Sequence, residues 1–456
     1  MDDLLYARLQ MAISLGFHIV FASIGIAMPL LMVLAEWRWI RTGSAALREL
    51  SKHWAKGTAI FFAVGAVSGT VLSFELGLLW PRFMQYAGGI IGLPFGLEGL
   101  AFFTEAIFLG VYLYAWDKVN RWMHLASGAI VAISGAMSAL FVIMANAWMN
   151  APAGFDFDPV TREFSNIDPI AAMFNPAWKA QVVHMLVAAY MATAFAVAGV
   201  HALQLLRGRH TEFNRVALFL AMITALPMTL VQPLVGDWAA TVVALNQPAK
   251  LAAMEGQFAT ERHAPLRIGG LPNVATGSTD YAIEIPGFLS YLAYGDFDAE
   301  VKGLNDFPRD EWPPVLITHI AFQLMVAFGT IMLGVSAWWA LAVWRPWNKR
   351  VAGMRFADRP VPRLLLWAIV CCAPLGFLAI ECGWVVTEVG RQPWIIHGVM
   401  RTAESVTPMR GLIAPFITFT VVYIFLAIAV VYLMMRQVRL SAAPVNHHSK
   451  PNANAD

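Results

Sequence analysis

Apolar residues in this chain come in blocks of twenty or more, broken by short polar links, rather than in alternating runs. Such a block, wound as a helix rising ~1.5 Å per residue, crosses a hydrocarbon core about 30 Å thick. The pattern predicts nine spans, at about 9–36, 55–79, 94–116, 123–149, 180–206, 214–236, 314–344, 364–386 and 411–435. The links give a direction. Those after spans 1, 3, 5 and 7 are rich in Arg and Lys, from Arg38, Arg41, Arg48, Lys52 and Lys56 to Arg345, Lys349, Arg350, Arg355, Arg359 and Arg363. The intervening links are poorer in positive charge or acidic. Positive charge stays in the cytoplasm, so the N-terminus is expected on the periplasmic side and the C-terminus in the cytoplasm. An odd number of spans agrees.

The expected fold class is therefore an all-α polytopic membrane protein with one long periplasmic loop between helices 6 and 7. The expected organisation is helices 1–6 in residues 1–236, the loop in 237–313, helices 7–9 in 314–440 and a disordered cytoplasmic tail in 441–456. Composition supports the class and adds little else. Of 456 residues, 59% are hydrophobic and 13% charged, with a net charge of +2, whereas soluble domains are about a quarter charged. Nothing in that balance points to nucleic acid. The opening "MDDLLYARLQ" is acidic where a cleaved signal would be basic. Cys371, Cys372 and Cys382 show no CxxC spacing and read as small buried hydrophobes. No internal repeat is visible, which weighs against inverted-repeat transporters.

Candidate chemistry lies in the costly residues. A charge at mid-membrane costs roughly 2.5–3.5 kcal/mol on insertion scales, which makes intramembrane ionisable groups functional candidates. With the expected sidedness, His18, His184, His319, Met325 and the pair Glu98 and Glu105 all fall in the outer half of their spans. Glu381, Trp384, Glu388 and Arg391, spaced 3, 4 and 3, form one helical stripe at the outer end of span 8. Independent helices thus bring His, Met and carboxylate groups to one layer, suited to haem ligation or a proton relay. Glu98 and Glu105 are two turns apart, about 10.5 Å in rise, which suits a stepwise relay. Each position also has a plainer reading. A membrane histidine is often a packing residue, Glu388 and Arg391 can be a structural ion pair, and Glu98 can cap a helix start. Lys250 and Glu255 can be solvated loop charges. Three functions stay open on these residues: a haem-bearing oxidoreductase, a proton-coupled secondary transporter using the carboxylates, and a haem-b subunit serving a partner dehydrogenase.

The string "GWVVTEVGRQPW" resembles the signature of subunit I of the cytochrome bd quinol oxidases. The likeness spans nearly the whole chain, through "RLQMAISLGFHIVFASIGIAMP", "GLEGLAFFTEAIFLG", "ANAWMNAPAG", "VHMLVAAYMATAFAVAG" and "QPAKLAAMEGQF", in that order. The compact loop is similar to that of the short-loop, cyanide-insensitive branch. The resemblance implies a quinol:oxygen oxidoreductase of the bacterial inner membrane. It implies two haem b and a haem d, or a further haem b in its place. His184 and Met325 would hold the low-spin haem b, Glu388 the high-spin haem b, and His18 the oxygen-reducing haem. Trp384 would stand among the haems and Arg391 would offset carboxylate charge. Lys250 and Glu255 would serve quinol oxidation, and Glu98, Glu105 and Ser138 would serve the haem site and proton delivery. Gln323 stands where many relatives carry an arginine. Implied partners are ubiquinol or menaquinol, O2, a second large membrane subunit and an optional small single-span subunit. Electrogenic turnover without proton pumping is the implied mode.

Overall fold

The computed structural model describes residues 3–344 and 359–441. Nine helices among these residues are long and apolar enough to cross a bilayer, and each overlaps one block expected from the sequence. They are α1 (Asp3–Thr42), α2 (Ala45–Leu79), α3 (Pro81–Tyr114), α4 (Arg121–Asn150), α6 (Trp178–Leu206), α7 (Glu212–Asn246), α10 (Val315–Trp344), the pair α11 (Arg363–Cys372) and α12 (Leu375–Glu388), and α14 (Ile413–Ser441). Short helices α5 (Pro169–Met173), α8 (Pro248–Glu255), α9 (Phe288–Tyr294) and α13 (Thr402–Ser405) lie in the connections. Arg345, Lys349, Arg350, Arg355 and tail residues 442–456 fall outside the described residues.

The helices outrun the apolar blocks. Only Trp80 separates α2 from α3, so the expected link at 80–93 is helix. Glu98 therefore sits deep inside α3 and does not cap its start. Likewise α7 continues to Asn246, past the boundary expected at 236. The reason is physical: scattered polar residues, Arg82 and Gln85 in one segment and Asp237, Thr241 and Asn246 in the other, interrupt the apolar block without interrupting the hydrogen-bonded ladder of the helix. The connection that follows is compact. It carries α8, α9 and three ribbons, Glu261–Arg262 with Glu300–Val301, Leu266–Ile268 with Ile283–Ile285 and Leu271–Asn273 with Ser278–Asp280. The end of the bundle holding this segment is called the loop end; the other holds the short Arg- and Lys-rich links.

α1 is the central helix, touching α2, α4, α6, α7, α12 and α14. Phe195, Met222, Trp339 and Ile369 bring α6, α7, α10 and α11 into one core. Leu31, Met32, Leu50 and Trp54 tie α1 to α2. Near the short-link end a fully buried polar cluster joins four helices. His124 shares one ring nitrogen with Glu36 at 2.8 Å and the other with the Tyr112 carbonyl at 2.9 Å, and Tyr112 meets Ser51 at 2.7 Å. Both nitrogens of His124 are thus engaged, the condition for a buried imidazole to be tolerated. Contrary to the sequence reading, Cys371 is exposed on the bundle surface, while Cys372 is buried.

Small residues set the helix spacing. A Cβ on Gly376 of α12 would lie 2.5 Å from Ala192 Cα of α6, a backbone neighbour that cannot swing away. On Gly334 of α10 it would meet nothing within 4 Å. Gly376→Leu is therefore expected to cost about 1–3 kcal/mol through overpacking and to lower the midpoint of thermal unfolding, with Gly334→Leu near neutral. Equal midpoints for the two variants would refute the close α6–α12 contact.

Candidate functional site in the loop half of the bundle

The α12 stripe is the anchor. Glu381, Trp384 and Glu388 follow the helix, but α12 ends at Glu388 and Arg391 lies in the turn beyond it. The expected four-residue helical stripe is therefore a three-residue stripe closed by a turn. Arg391 is 3% exposed and gives Nη2 to Glu388 Oε2 at 2.6 Å. Asn146 of α4 donates to the other carboxylate oxygen at 2.6 Å. Several polar atoms here are buried without a protein partner: Glu381 Oε1, Trp384 Nε1 and Arg391 Nη1, with Gln232 Oε1 beside His184. Orphans of this kind in a native interior call for a ligand or water.

The amides of α4 do more than steady Glu388. Lys250 Nζ donates to Asn150 Oδ1 at 3.1 Å, Asn150 Nδ2 reaches Asn146 Oδ1 at 3.2 Å, and Asn146 Nδ2 reaches Glu388. The two asparagines are four residues apart on one helical face. Their donors all point the same way, so one continuous hydrogen-bonded chain links Lys250 to Glu388.

Lys250 and Glu255 are buried, at 4% and 3% exposure, and neither is the solvated charge its loop position allows. Lys250 also donates to the Thr387 carbonyl at 3.1 Å. Burial, then repulsion from Arg391, lowers its pKa to about 7, with Glu388 pulling the other way. It lines a cavity of about 180 Å³ with Gln247, Glu311, Arg391, Trp394 and His397. The lysine stem runs close over Gly390, where a Cβ would lie 3.3 Å from Lys250 Cε and would collide with the Val386 carbonyl. Glu255, five positions on, points about 140° away around the helix and meets different neighbours. Its pKa is raised to about 8 by burial, against the pull of Arg267. The structure thus puts the two residues on one short helix but not on one face.

His18 and His184 have nitrogen to spare, as His201 does at the other end of the bundle, whereas His124 and His319 do not. Ser68 Oγ donates to the Val64 and Gly65 carbonyls, so the 2.9 Å contact from His18 Nδ1 makes that nitrogen the N–H donor. Nε2 is left with its lone pair, the arrangement that a metal-ligating histidine needs. His184 meets only the Gln232 amide nitrogen, at 3.3 and 3.4 Å from its two ring nitrogens, which commits neither. Glycines face these side chains. A Cβ would lie 3.0 Å from His18 Cε1 on Gly69 and 3.2 Å from Met325 Sδ on Gly383. His319 does not belong with them. It is fully buried and bonds the Met254 and Gly269 carbonyls at 2.8 and 3.1 Å, so it clamps the loop to α10. Gln323 does the same, accepting from Gly269 N at 3.0 Å and donating to the Arg267 carbonyl at 2.9 Å.

Glu98 and Glu105 face α4 from α3. Ser138 Oγ approaches Glu98 Oε1 at 3.4 Å, and Glu105, 5% exposed, lies against Gly135. Sequence reading missed Glu75. It is buried in α2 and accepts from Gln10 and Ser14 of α1 at 2.9 Å each, with its second oxygen unpartnered. The available signal was a carboxylate inside the apolar block of span 2. It also missed Asn146 and Asn150 as linkers, although both stand in the string "ANAWMNAPAG".

Among the described residues, no three His, Cys, Asp or Glu side chains form a metal cage. Single axial donors suit a group that brings its own equatorial nitrogens, and the orphaned Trp384, Arg391 and Glu381 atoms suit a group with polar edges. The residues present fit haem.

Residues 6–442 match the family model described as cytochrome bd terminal oxidase subunit I. A Bacillus subtilis (strain 168) protein named as a cytochrome bd menaquinol oxidase subunit I is 37% identical over 439 residues, covering 95% of this chain and 96% of that protein. Cytochrome bd-II ubiquinol oxidase subunit 1 of Escherichia coli (strain K12) is 28% identical over 498 residues, covering 95% and 96%. The solved bd oxidase of Geobacillus thermodenitrificans superposes with a TM-score of 0.87 at 40% identity, over 96% of this chain and 99% of that one. With nine apolar helices, the loop-end cluster and a match from end to end, the chain belongs to the cytochrome bd terminal oxidase subunit I family.

Proposed function

We propose that this chain is the haem-bearing, quinol-oxidising subunit of a terminal oxidase, a quinol:oxygen oxidoreductase of the bacterial inner membrane. Its family is haem-containing and works with quinol, O2 and a second membrane subunit; a small single-span subunit completes the assembly in this reading. The observation that carries the proposal is the hydrogen-bonded chain Lys250–Asn150–Asn146–Glu388, which joins a cavity to the carboxylate of α12. Family membership leaves no support for the secondary-transporter alternative.

His184 and Met325 would hold a low-spin haem b, Glu388 a high-spin haem b, and His18 a haem d or third haem b. Bound there, haem supplies electron transfer and oxygen reduction. The compact connection between α7 and α10 fits the short-loop branch, and the loop end is taken as periplasmic. The protein's own part is the following. Quinol enters the cavity lined by Lys250, Gln247, Trp394 and His397, with its ring against Trp394. Lys250, with a pKa near 7, donates a hydrogen bond to one ring oxygen. Glu255, on another face of α8, takes up a proton passed on from the cavity for release on the loop side. Arg391 balances the carboxylate of Glu388 and keeps it oriented. Glu105, Glu98 and Ser138 line the opposite approach, along α3 and α4, by which protons arrive from the cytoplasm. Protons released on one side and taken up on the other build a membrane potential without a pump.

Three outcomes follow. Met325→Leu keeps side-chain volume but removes the sulfur, so the reduced low-spin haem band should vanish while the protein still accumulates in the membrane; an unaltered spectrum removes Met325 as a ligand. Glu388→Ala should deplete the high-spin haem signal, and full pigment with normal turnover would leave Glu388 a structural ion pair. Burial favours the neutral acid of Glu255, so it keeps its proton up to about pH 8 and becomes a base only above that. In oxygen-uptake assays kcat/KM for quinol should therefore rise as pH passes about 8. Glu255→Gln should flatten that limb and lower the rate above it by about 100-fold. An identical pH profile in the variant would exclude Glu255 as the acceptor.

A further inference from the structure

A second cavity, of about 170 Å³, lies toward the short-link end of the bundle, among α1, α2, α6, α7 and α14. An apolar cavity of ~150 Å³ is enough for benzene, so one six-membered ring fits. Ile24, Met28, Phe61 and Met434 make its walls apolar, while His53, His201, Gln204 and Asn214 make one end polar. Aromatic rings frame that end. His201 lies 6.1 Å from Trp54 and 5.7 Å from Phe213, and His53 lies 5.6 Å from Phe213, all edge-on.

The hydrogen bonds fix what this end offers a ligand. Asn214 Nδ2 donates to the Arg209 carbonyl at 3.0 Å, so its Oδ1 is the atom that meets His201 Nδ1, also at 3.0 Å. An amide oxygen only accepts. The His201 proton is therefore on Nδ1, and Nε2 turns an unshared pair toward a cavity-lining position, with no donor among the described residues. The cavity wants a hydroxyl.

We infer that this cavity binds a second quinol, distinct from the molecule oxidised at the loop end, through a ring hydroxyl donating to His201 Nε2 and an apolar tail along α1 and α14. The inference rests on quinol being the enzyme's substrate. A phospholipid is the competing occupant, favoured by the basic links nearby. The phosphodiester itself, like the oxidised quinone, brings only acceptors to Nε2, so a phospholipid could satisfy it only through a headgroup ammonium or hydroxyl. Preference for the reduced form is thus built in, worth about tenfold in affinity for one unmade hydrogen bond to a buried group.

The test uses the assembled oxidase, stripped of endogenous quinone and kept under argon, titrated with decylubiquinol. Wild type is expected to bind two equivalents, and decylubiquinone at the second site about tenfold more weakly. His201→Leu should bind one equivalent yet keep oxygen uptake within about twofold and an unaltered haem spectrum. Ile24→Phe, which fills the cavity from α1 and keeps His201, should also bind one. Two equivalents bound by His201→Leu, or a phospholipid retained at the site by mass spectrometry, overturns the inference. A single equivalent bound by a wild type that still oxidises quinol overturns it as well. A wild type that does not oxidise quinol refutes the substrate itself, a separate failure.

Discussion

Holding a hydrogen-bonding or charged side chain among lipid tails costs several kcal/mol unless a partner is supplied. That constraint orders this bundle. Side chains with a full set of partners tie helices together. His124 uses both ring nitrogens between Glu36 and Tyr112, and His319 spends both on loop carbonyls. Other side chains keep an unpartnered polar atom, and Glu381, Trp384, Arg391 and Gln232 bring four such atoms to α12 and the helices facing it, although Glu36 beside His124 and Glu75 of α2 keep one as well. Unpartnered atoms mark the candidate site only together with the donors and carboxylates that α12 and its neighbours bring there.

Much of the fold was legible because hydropathy reports directly on lipid contact. All nine blocks became helices. Their ends were not legible, since α2 runs almost unbroken into α3 and α7 passes ten residues beyond its apolar block. A few polar residues, such as Arg82 and Asp237, break the apolar block there without ending the helix. For the site, the residue types and their layer could be read from the chain, but partner identity could not. His18 and His319 look alike as membrane histidines. Only the fold reveals that Ser68 leaves one nitrogen of His18 available, whereas the loop takes both of His319. Family resemblance supplied roles that spacing alone left open.

The loop segment is part of the same polar logic. Met254 and Gly269 give their carbonyls to His319, and Arg267 and Gly269 give backbone groups to Gln323, so α10 holds the loop along two of its turns. Arg267 in turn pairs with Glu284 across the ribbon at 2.9 Å. Such bonds convert a polar connection of some seventy residues, at face value a floppy excursion, into a lid fixed to two spanning helices.

Each of those two helices carries a proposed iron ligand and at least one loop anchor. On α10, His319 and Gln323 grip the loop within two turns of Met325. On α12, the Thr387 carbonyl receives Lys250 immediately before Glu388. A shift of the loop by a fraction of its thickness would have to move α10 or α12, and Gly376 packed on Ala192 leaves α12 no room to follow. The cavity beneath Lys250 therefore keeps its place relative to both ligands without any flexible coupling. Electron transfer from a bound quinol needs distance held constant far more than it needs motion, and the shared helices supply that constancy.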